Sequence, residues 1–566
     1  MSAVNRKWYD GMLSTEDWWA VWLGLILFVA GLMSVIGLDL VGWMAKTKTW
    51  EFTSLLDSPS WSKVLSTAHG GAGKAYEGMH PFVSLLVTFA VFAVLTGIGA
   101  YFQKLNVKKF LLGFAAIFFI TWACWIIGHE AHFKALQTSQ SVLQPEIYGN
   151  DIYCTTKVNK CTKEINTALN ELGVDVKAGQ VPDSATAAMA VDKAKHAIPM
   201  SWGLQLGGGF SYMLALVVGL LIGNLFKGFA GFLKEAAKPE WFIKTAIVYL
   251  GVKLGKMWID SSLKIQSGAS DTGINLILDM ALAGAAATFV AYLLFWPIVY
   301  SLSRKVFKLK RDASAVLSSG ISICGVSAAI ATAGAIRAKP ILPIAVSMLI
   351  VIFAMIELVA LPSFYTAVAP DQPIVNGAAM GMTVKTDGAD AAAGAMLDEM
   401  MVAQNFKNTG ELWTEDYILS AAILTKIWID VFIGVWAFVL AMIWVYKVER
   451  TPGQTAVGAS EIWFRFPKFV LGYFIAWFTY IAIASWAPDL MNEAKSGAGI
   501  VQSPMRKMMF MLTFVAIGVI TDFSKLKGMG RLAILYAVAL FVIIAPIAYA
   551  VAYIFHNGMV PPISTT

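Results

Sequence analysis

The chain has 566 residues, 58% hydrophobic and only 14% charged, with a formal net charge of +7. A soluble domain carries about 45–50% apolar and about 25% charged residues, so a soluble globular protein is excluded. The basic excess sits in short loops between apolar runs and forms no aromatic-interleaved patch, which argues against nucleic acid and for contact with membrane lipid.

Apolar runs of about 18 residues or more mark membrane helices. Arg6 and Lys7 precede the first run, near 17–38. That run is too long for a signal-peptide core and lacks a small-residue cleavage site, so a retained membrane helix is expected. Two more runs follow near 81–103 and 109–128. The polar stretch 129–199 holds Cys154, Cys161 and Ala185-Thr186-Ala187-Ala188. It is too long for an ordinary connection and is expected to form a small extramembrane subdomain.

Ten segments come next, near 204–225, 240–257, 275–300, 313–336, 341–361, 378–400, 416–446, 465–487, 504–521 and 531–555. The expected fold is an all-α polytopic membrane protein of about thirteen transmembrane segments. Residues 1–128 form a three-helix extension and 129–199 the loop, followed by five-helix repeats at 200–361 and 362–566. Five is odd, so the second repeat enters the membrane inverted, an arrangement common in secondary transporters. Phe242-Ile243-Lys244-Thr245 and Leu424-Thr425-Lys426-Ile427 give a weak internal echo of it.

Short-loop charge sets the orientation. With the N-terminus inside, Lys104, Lys108, Lys109, Lys227, Lys234, Lys238, Arg304, Lys305, Lys308, Lys310 and Arg311 all fall inside. So do Lys447, Arg450, Arg465, Lys525, Lys527 and Arg531, while Arg337 and Lys339 fall outside and oppose the scheme. The expectation is a multi-pass bacterial inner-membrane protein with a cytoplasmic N-terminus and an outward C-terminus. The 129–199 loop then faces an oxidising space, where Cys154 and Cys161 are expected to form a disulfide.

Two segments are too polar to face lipid. Ser318-Ser319-Gly320-Ile321-Ser322-Ile323-Cys324-Gly325 breaks the fourth with serines and glycines, and Lys385, Asp387 and Asp390 charge the sixth. Hydrocarbon tolerates such sequence only where protein or a water cavity surrounds it. A broken helix would offer N–H groups and partial positive charge to an oxyanion, with the hydroxyls of Ser319, Ser322 and Ser327 as further donors. Close packing by small residues is the alternative. For Lys385, Asp387 and Asp390 the alternatives are an intramembrane charge cluster and a solvated loop. Lys426 and Asp430 share a helix face as an ion pair or as part of a path. Asp279 and Glu357 are lone acids, and Lys244 and Lys253 are read as snorkelling from helix ends. His129-Glu130-Ala131-His132 spaces its histidines three apart where a zinc-protease helix needs four, so no metal site is expected.

A further set of motifs carries a resemblance. Gly219-Leu220-Leu221-Ile222-Gly223 before Asn224, and the run from Lys244 to Lys253, look like the first core helices of the YeiH-type sulfate exporter family. Gly320-Ile321-Ser322-Ile323-Cys324-Gly325-Val326-Ser327-Ala328-Ala329 is similar to its most specific signature. Thr425-Lys426, Phe466-Pro467-Lys468-Phe469-Val470-Leu471-Gly472 and Ala516-Ile517-Gly518-Val519 follow in matching order. The resemblance covers about 204–555 and leaves the first 200 residues outside it. One departure stands out: where the family carries a histidine and an acid, this chain has Lys385 and Thr386, with Asp387 and Asp390 displaced.

The resemblance implies a secondary transporter, with discontinuous helices resembling those of sodium/proton antiporters and bile-acid symporters. The expected function is export of a small anion, sulfate or a related sulfur oxyanion. The anion would be held by Ser319, Ser322, Ser327, the backbone at Cys324 and Gly325, and the charges of Lys385 and Lys426. Asp387, Asp390 and Asp430 would couple Na+ or H+. No cofactor is expected, and no catalytic motif suggests an enzyme. A homodimer is a further expectation. The alternatives are a cation-coupled transporter of another solute and a sensor or assembly subunit working through the 129–199 loop.

Overall fold

A computed structural model describes residues 9–57, 59–68, 75–134, 145–148, 151–154, 209–266, 273–336, 338–339, 341–409, 411, 413–444, 463, 467–526 and 530–563. Cys161 and residues 155–199 of the polar loop lie outside these, as does the side chain of Cys154. The expected disulfide therefore falls outside the described residues. Before it, the loop holds a short antiparallel strand pair, Pro145–Tyr148 with Asp151–Cys154.

Apart from this and one other short strand pair, the described fold is helical. Helices α1 (Glu16–Leu32), α2 (Pro81–Phe102) and α3 (Val107–Ile127) come first. Caps start two of them: Nδ1 of His80 accepts from Phe82 N, with Pro81 at the first turn, and Oδ1 of Asn106 accepts from Lys109 N. Next come α4 (Gly209–Leu225), α5 (Lys227–Leu233), α6 (Pro239–Gln266) and α7 (Gly273–Ser301). The centre of the fold holds α8 (Arg311–Ser322), α9 (Gly325–Ala335), α10 (Ile341–Val368), α11 (Pro373–Thr383), α12 (Asp387–Thr409) and α13 (Tyr417–Ile443). The chain closes with α14 (Phe469–Trp486), α15 (Met491–Ile500), α16 (Arg506–Ile520), α17 (Gly530–Ala537) and α18 (Ala545–His556). π-helical turns join α15 to α16 and α17 to α18.

Among the described residues, eight helical spans are long and apolar enough to cross a membrane, nine if α4 and α5, bent by 115°, count as one. With the strongly apolar composition this makes the chain a multi-pass membrane protein. Helices α6 and α10 have the length as well, 28 residues each.

The 313–336 and 378–400 segments are not single straight helices. Each is a re-entrant hairpin. A Cβ built on Gly320 of α8 would lie 3.5 Å from Cβ of Ala329 on α9. Nine residues of continuous helix would separate them by about 13 Å, so the chain doubles back. In the second hairpin, Nδ2 of Asn376 at the start of α11 reaches Sδ of Met401, four turns along α12, at 3.4 Å. Among the described residues the expected count of about thirteen crossings is not reached by length and apolarity, which give eight or nine spans. The first hairpin also removes the orientation conflict: α9 returns to the end where α8 began, so residues 338–339 rejoin the end that carries Arg311.

That end gathers the basic loops. Lys227 Nζ pairs with Asp522 Oδ1 at 2.9 Å, Arg531 Nη2 donates to Phe307 O, and Asn106 N donates to Glu235 Oε1. Hydrogen bonds from Ser524 and Lys227 hold the Asp522 carboxyl down to about 2. The opposite end carries the strand pair Ala45–Thr47 with Leu65–Thr67 and the contact of Thr414 N with Pro562 O. The first hairpin thus enters from the basic end and the second from the far end.

The helices pack as two units. α1 to α6 with α14 to α16 make one, and α7 to α13 with α17 and α18 make the other, joined chiefly through α6 and α12. The three N-terminal helices are built into the first unit. A Cβ on Gly497 of α15 would stand 1.9 Å from the Gly31 carbonyl oxygen of α1, the close approach that small residues permit between membrane helices. Gly497→Leu is expected to part these helices and cost at least about 1–3 kcal/mol by overpacking. Thermal scanning of the detergent-solubilised chain would read this as a lower midpoint; an unchanged midpoint contradicts the packing.

Candidate functional site

The two hairpin tips meet inside the protein. The first tip is Ile323-Cys324-Gly325, where Ile323 leaves helical geometry at φ −116° and ψ −112° and Gly325 has φ +43°. The second is Val384-Lys385-Thr386, between α11 and α12. A Cβ on Gly325 would lie 2.3 Å from the carbonyl oxygen of Lys385. Only glycine lets the first backbone come this close to the second.

Charge is concentrated around this meeting point. Lys385 is fully buried; its ammonium donates to Met382 O and lies 5.3 Å from the Phe295 ring centroid. Its backbone N–H donates to Oε2 of Glu357 on α10 at 3.2 Å. Lys426, on α13, donates to Val384 O at 3.2 Å, and its Nζ lies 4.0 Å from Asp387 Oδ1. Cys324 donates its thiol hydrogen to the same Asp387 oxygen at 3.0 Å. Asp390 and Asp430 are buried, and among the described residues none of their carboxylate oxygens has a hydrogen bond of standard geometry, although Asp430 lies beside Cys324, Asp387 and Lys426. Lys426 therefore faces Asp387 across two elements, at 4.0 Å, as well as Asp430 on its own helix. The second tip is no solvated loop: Lys385 and Asp390 are 0% exposed and Asp387 4%.

The serines divide. Ser319 accepts from Trp296 Nε1 at 2.9 Å, while the buried hydroxyls of Ser318 and Ser322 have no partner among the described residues. Ser327 lies in α9, and its side chain is outside the described residues. A cavity of about 480 Å³ reaches the tips from the basic end, lined by Glu240 and Lys244 of α6, Cys324, Thr386, Asp387 and Ile517 of α16, among others. It lies between the two units. Among the residues proposed from sequence, Cys324 and Asp387 line it, while Lys385 and Lys426 stand behind the tips.

Other sequence readings change. Lys244 does not snorkel: it pairs with Asp17 at 2.7 Å and Glu240 at 3.6 Å. Lys253 pairs with Asp416 at 3.0 Å. Asp279 is exposed on α7, whereas Glu357 is fully buried beside the second tip. Nδ1 of His129 is within hydrogen-bond reach of Trp125 O and Ser211 Oγ, a structural role.

A second buried network escaped the sequence reading. Arg506, 1% exposed at its side chain, donates to Asp416 Oδ2 at 2.9 Å, which Lys253 also meets. Asp398 of α12 accepts from the backbone N–H groups of Asp416, Ile418 and Leu419, capping α13. The network ties α6 and α16 of one unit to α12 and α13 of the other, at the far end from the cavity mouth. Its signal in the sequence was Arg506-Lys507 opening an apolar segment on the side where basic residues are sparse.

Comparison with known proteins adds the lineage. The family described as conserved hypothetical protein 698 matches residues 208–537. The UPF0324 membrane protein of Nitrosomonas europaea is 55% identical over 563 residues, 100% of both chains. A UPF0324 membrane protein of Rhodopirellula baltica is 35% identical over 335 residues, 57% of this chain and 53% of its own. The UPF0324 inner membrane protein YeiH of Salmonella typhimurium is 24% identical over 337 residues, 59% of this chain and 83% of its own. No solved structure matches. With most of its core matched by the family and its full length aligned to one member, the chain belongs to the UPF0324, or YeiH-type, membrane protein family.

Proposed function

We propose that the protein is a secondary transporter that moves a small oxyanion, of the sulfate or sulfite kind, together with Na+ or H+. The observation that carries this reading is the meeting of two hairpin tips from opposite ends at the floor of a cavity. Broken helices at membrane depth suit ion binding, because helix starts carry unpaired N–H groups and partial positive charge. The start of α9 at Cys324-Gly325 and the ammonium groups of Lys385 and Lys426 supply attraction for an anion.

Charge balance argues for coupling. Glu357, Asp387, Asp390 and Asp430 face two lysines, an excess of two negative charges when all are ionised. An anion entering so negative a site is stabilised only if positive charge comes with it. Protons or sodium ions on Asp387, Asp390 and Asp430 meet that need.

The basic end is taken as cytoplasmic by the positive-inside rule. The cavity then opens inward, and the Asp416 network closes the outward side. Alternating access follows if the hairpin-bearing unit moves against the other and the network parts. The opposed hairpins agree with an inverted repeat in the core, although the hairpins shift the segment count from five plus five. A second reading, a cation-coupled carrier of another solute, rests on the same acidic excess.

Proteoliposomes containing the protein are expected to move sulfate or sulfite under an imposed proton or sodium gradient. Asp387→Asn with Asp390→Asn is expected to remove the gradient dependence. Flux of neither anion rejects the substrate class, and flux indifferent to both gradients rejects coupling.

A further inference from the structure

We propose that Cys324, Asp387 and Asp430 form a binding site for a thiophilic divalent cation of the zinc and cadmium type. One ligand atom from each of the three residues lies within 4.8 Å of the other two, and Cys324 Sγ is 3.0 Å from Asp387 Oδ1. Bonds of about 2.3 Å to sulfur and about 2.0–2.2 Å to carboxylate oxygen around a tetrahedral ion place neighbouring ligands about 3–4 Å apart. Small side-chain rotations therefore close the set. The three residues are 3%, 4% and 1% exposed, and among the described residues neither oxygen of Asp430 has a hydrogen bond of standard geometry; its nearest polar neighbours are Cys324, Asp387 and Lys426. Two carboxylates and a thiol gathered at that depth carry more negative charge when ionised than Lys426 offsets, and a cation supplies the missing counter-charge.

The ligands come from three elements: the first hairpin tip, the second hairpin tip and α13. A bound ion ties both tips to α13. Cys324 and Asp387 also line the cavity, which provides a way in and leaves a fourth coordination position for water. Binding requires the thiolate, so Cys324 gives its proton to cavity water as the sulfur–metal bond forms. The thiolate, two carboxylates, a dication and the Lys426 ammonium, 4.0 Å from Asp387, then sum to zero. A monovalent cation leaves the set negative. Mg2+ and Ca2+ prefer oxygen and gain little from sulfur. The site stands independently of the transport reading, since it concerns binding alone.

The test uses the full chain in detergent with Cys154→Ser and Cys161→Ser, so that Cys324 and the buried Cys124 are the remaining thiols. Cd2+ titration is expected to raise a thiolate-to-metal charge-transfer absorption that saturates at one ion per chain. Cys324→Ser should abolish it, Asp430→Asn should weaken binding at least about tenfold, and excess Mg2+ should not displace Cd2+. As a second reading without a ligand variant, Cd2+ should protect Cys324 from maleimide labelling. A band that survives Cys324→Ser, an Asp430→Asn affinity equal to that of the parent, or labelling indifferent to Cd2+ overturns the site.

Discussion

Gly325→Ala is expected to destabilise the protein by more than its one added carbon suggests and to abolish the proposed anion flux. At φ +43° a side chain is strained, at about 1–3 kcal/mol. The new Cβ also meets the Lys385 carbonyl oxygen at 2.3 Å and the Ile350 side chain at 2.9 Å. The carbonyl is backbone and cannot rotate away, so the tips must separate. That separation moves Cys324 from Asp387 and Lys385 from Glu357. Gly228→Ala is the matched control, because a Cβ there meets nothing within 4 Å and an exposed helical site favours alanine. Thermal scanning and anion flux, measured together, decide the matter: if Gly325→Ala behaves like Gly228→Ala, the tips are not in contact.

The second large effect is expected at Asp416. Asp416→Asn removes one charge and keeps a residue that tolerates its backbone, which has φ +75°. Arg506 and Lys253 then lose the carboxylate they share, and Arg506 is too buried for water to replace it. Breaking a buried pair by removing one partner costs about 3–5 kcal/mol. Arg506→Leu should cost a similar amount, and the double variant less than the sum, because removing both charges leaves neither stranded. Because the network joins the two units at the end opposite the cavity mouth, its loss should also raise labelling of Cys324 by an impermeant thiol reagent applied from the far end. An Asp416→Asn midpoint and labelling pattern equal to those of the parent would remove the network's role as a closure.

Much of this organisation is legible in residue order. Apolar runs between basic loops locate the crossing helices, since hydrocarbon accepts little else. The two interrupted segments are legible for the same reason in reverse: Ser318 to Gly325 and Lys385 to Asp390 are too polar to face lipid. Their shape is not legible. A helix broken in mid-membrane and a hairpin turning back have the same local sequence, a helix, a glycine or polar break, and another helix. The contacts that separate them, Gly320 with Ala329 and Asn376 with Met401, depend on which way the chain leaves the break. Arg337 and Lys339 carried a clue, because their placement outside conflicted with every other basic loop.

Charge partners were the least legible feature. Spacing suggested Lys426 with Asp430 but gave no sign that Asp387, 39 positions away, also faces Lys426, or that Asp416 draws Lys253 and Arg506 from two other helices. Composition and hydropathy alone determined that the chain lives in a bilayer and which stretches must be shielded from it, because transfer of polar groups into lipid is costly wherever they fall. Which tip faces which acid was decided only when the helices packed, because a buried charge takes the nearest opposite charge in space and sequence distance has no bearing on that.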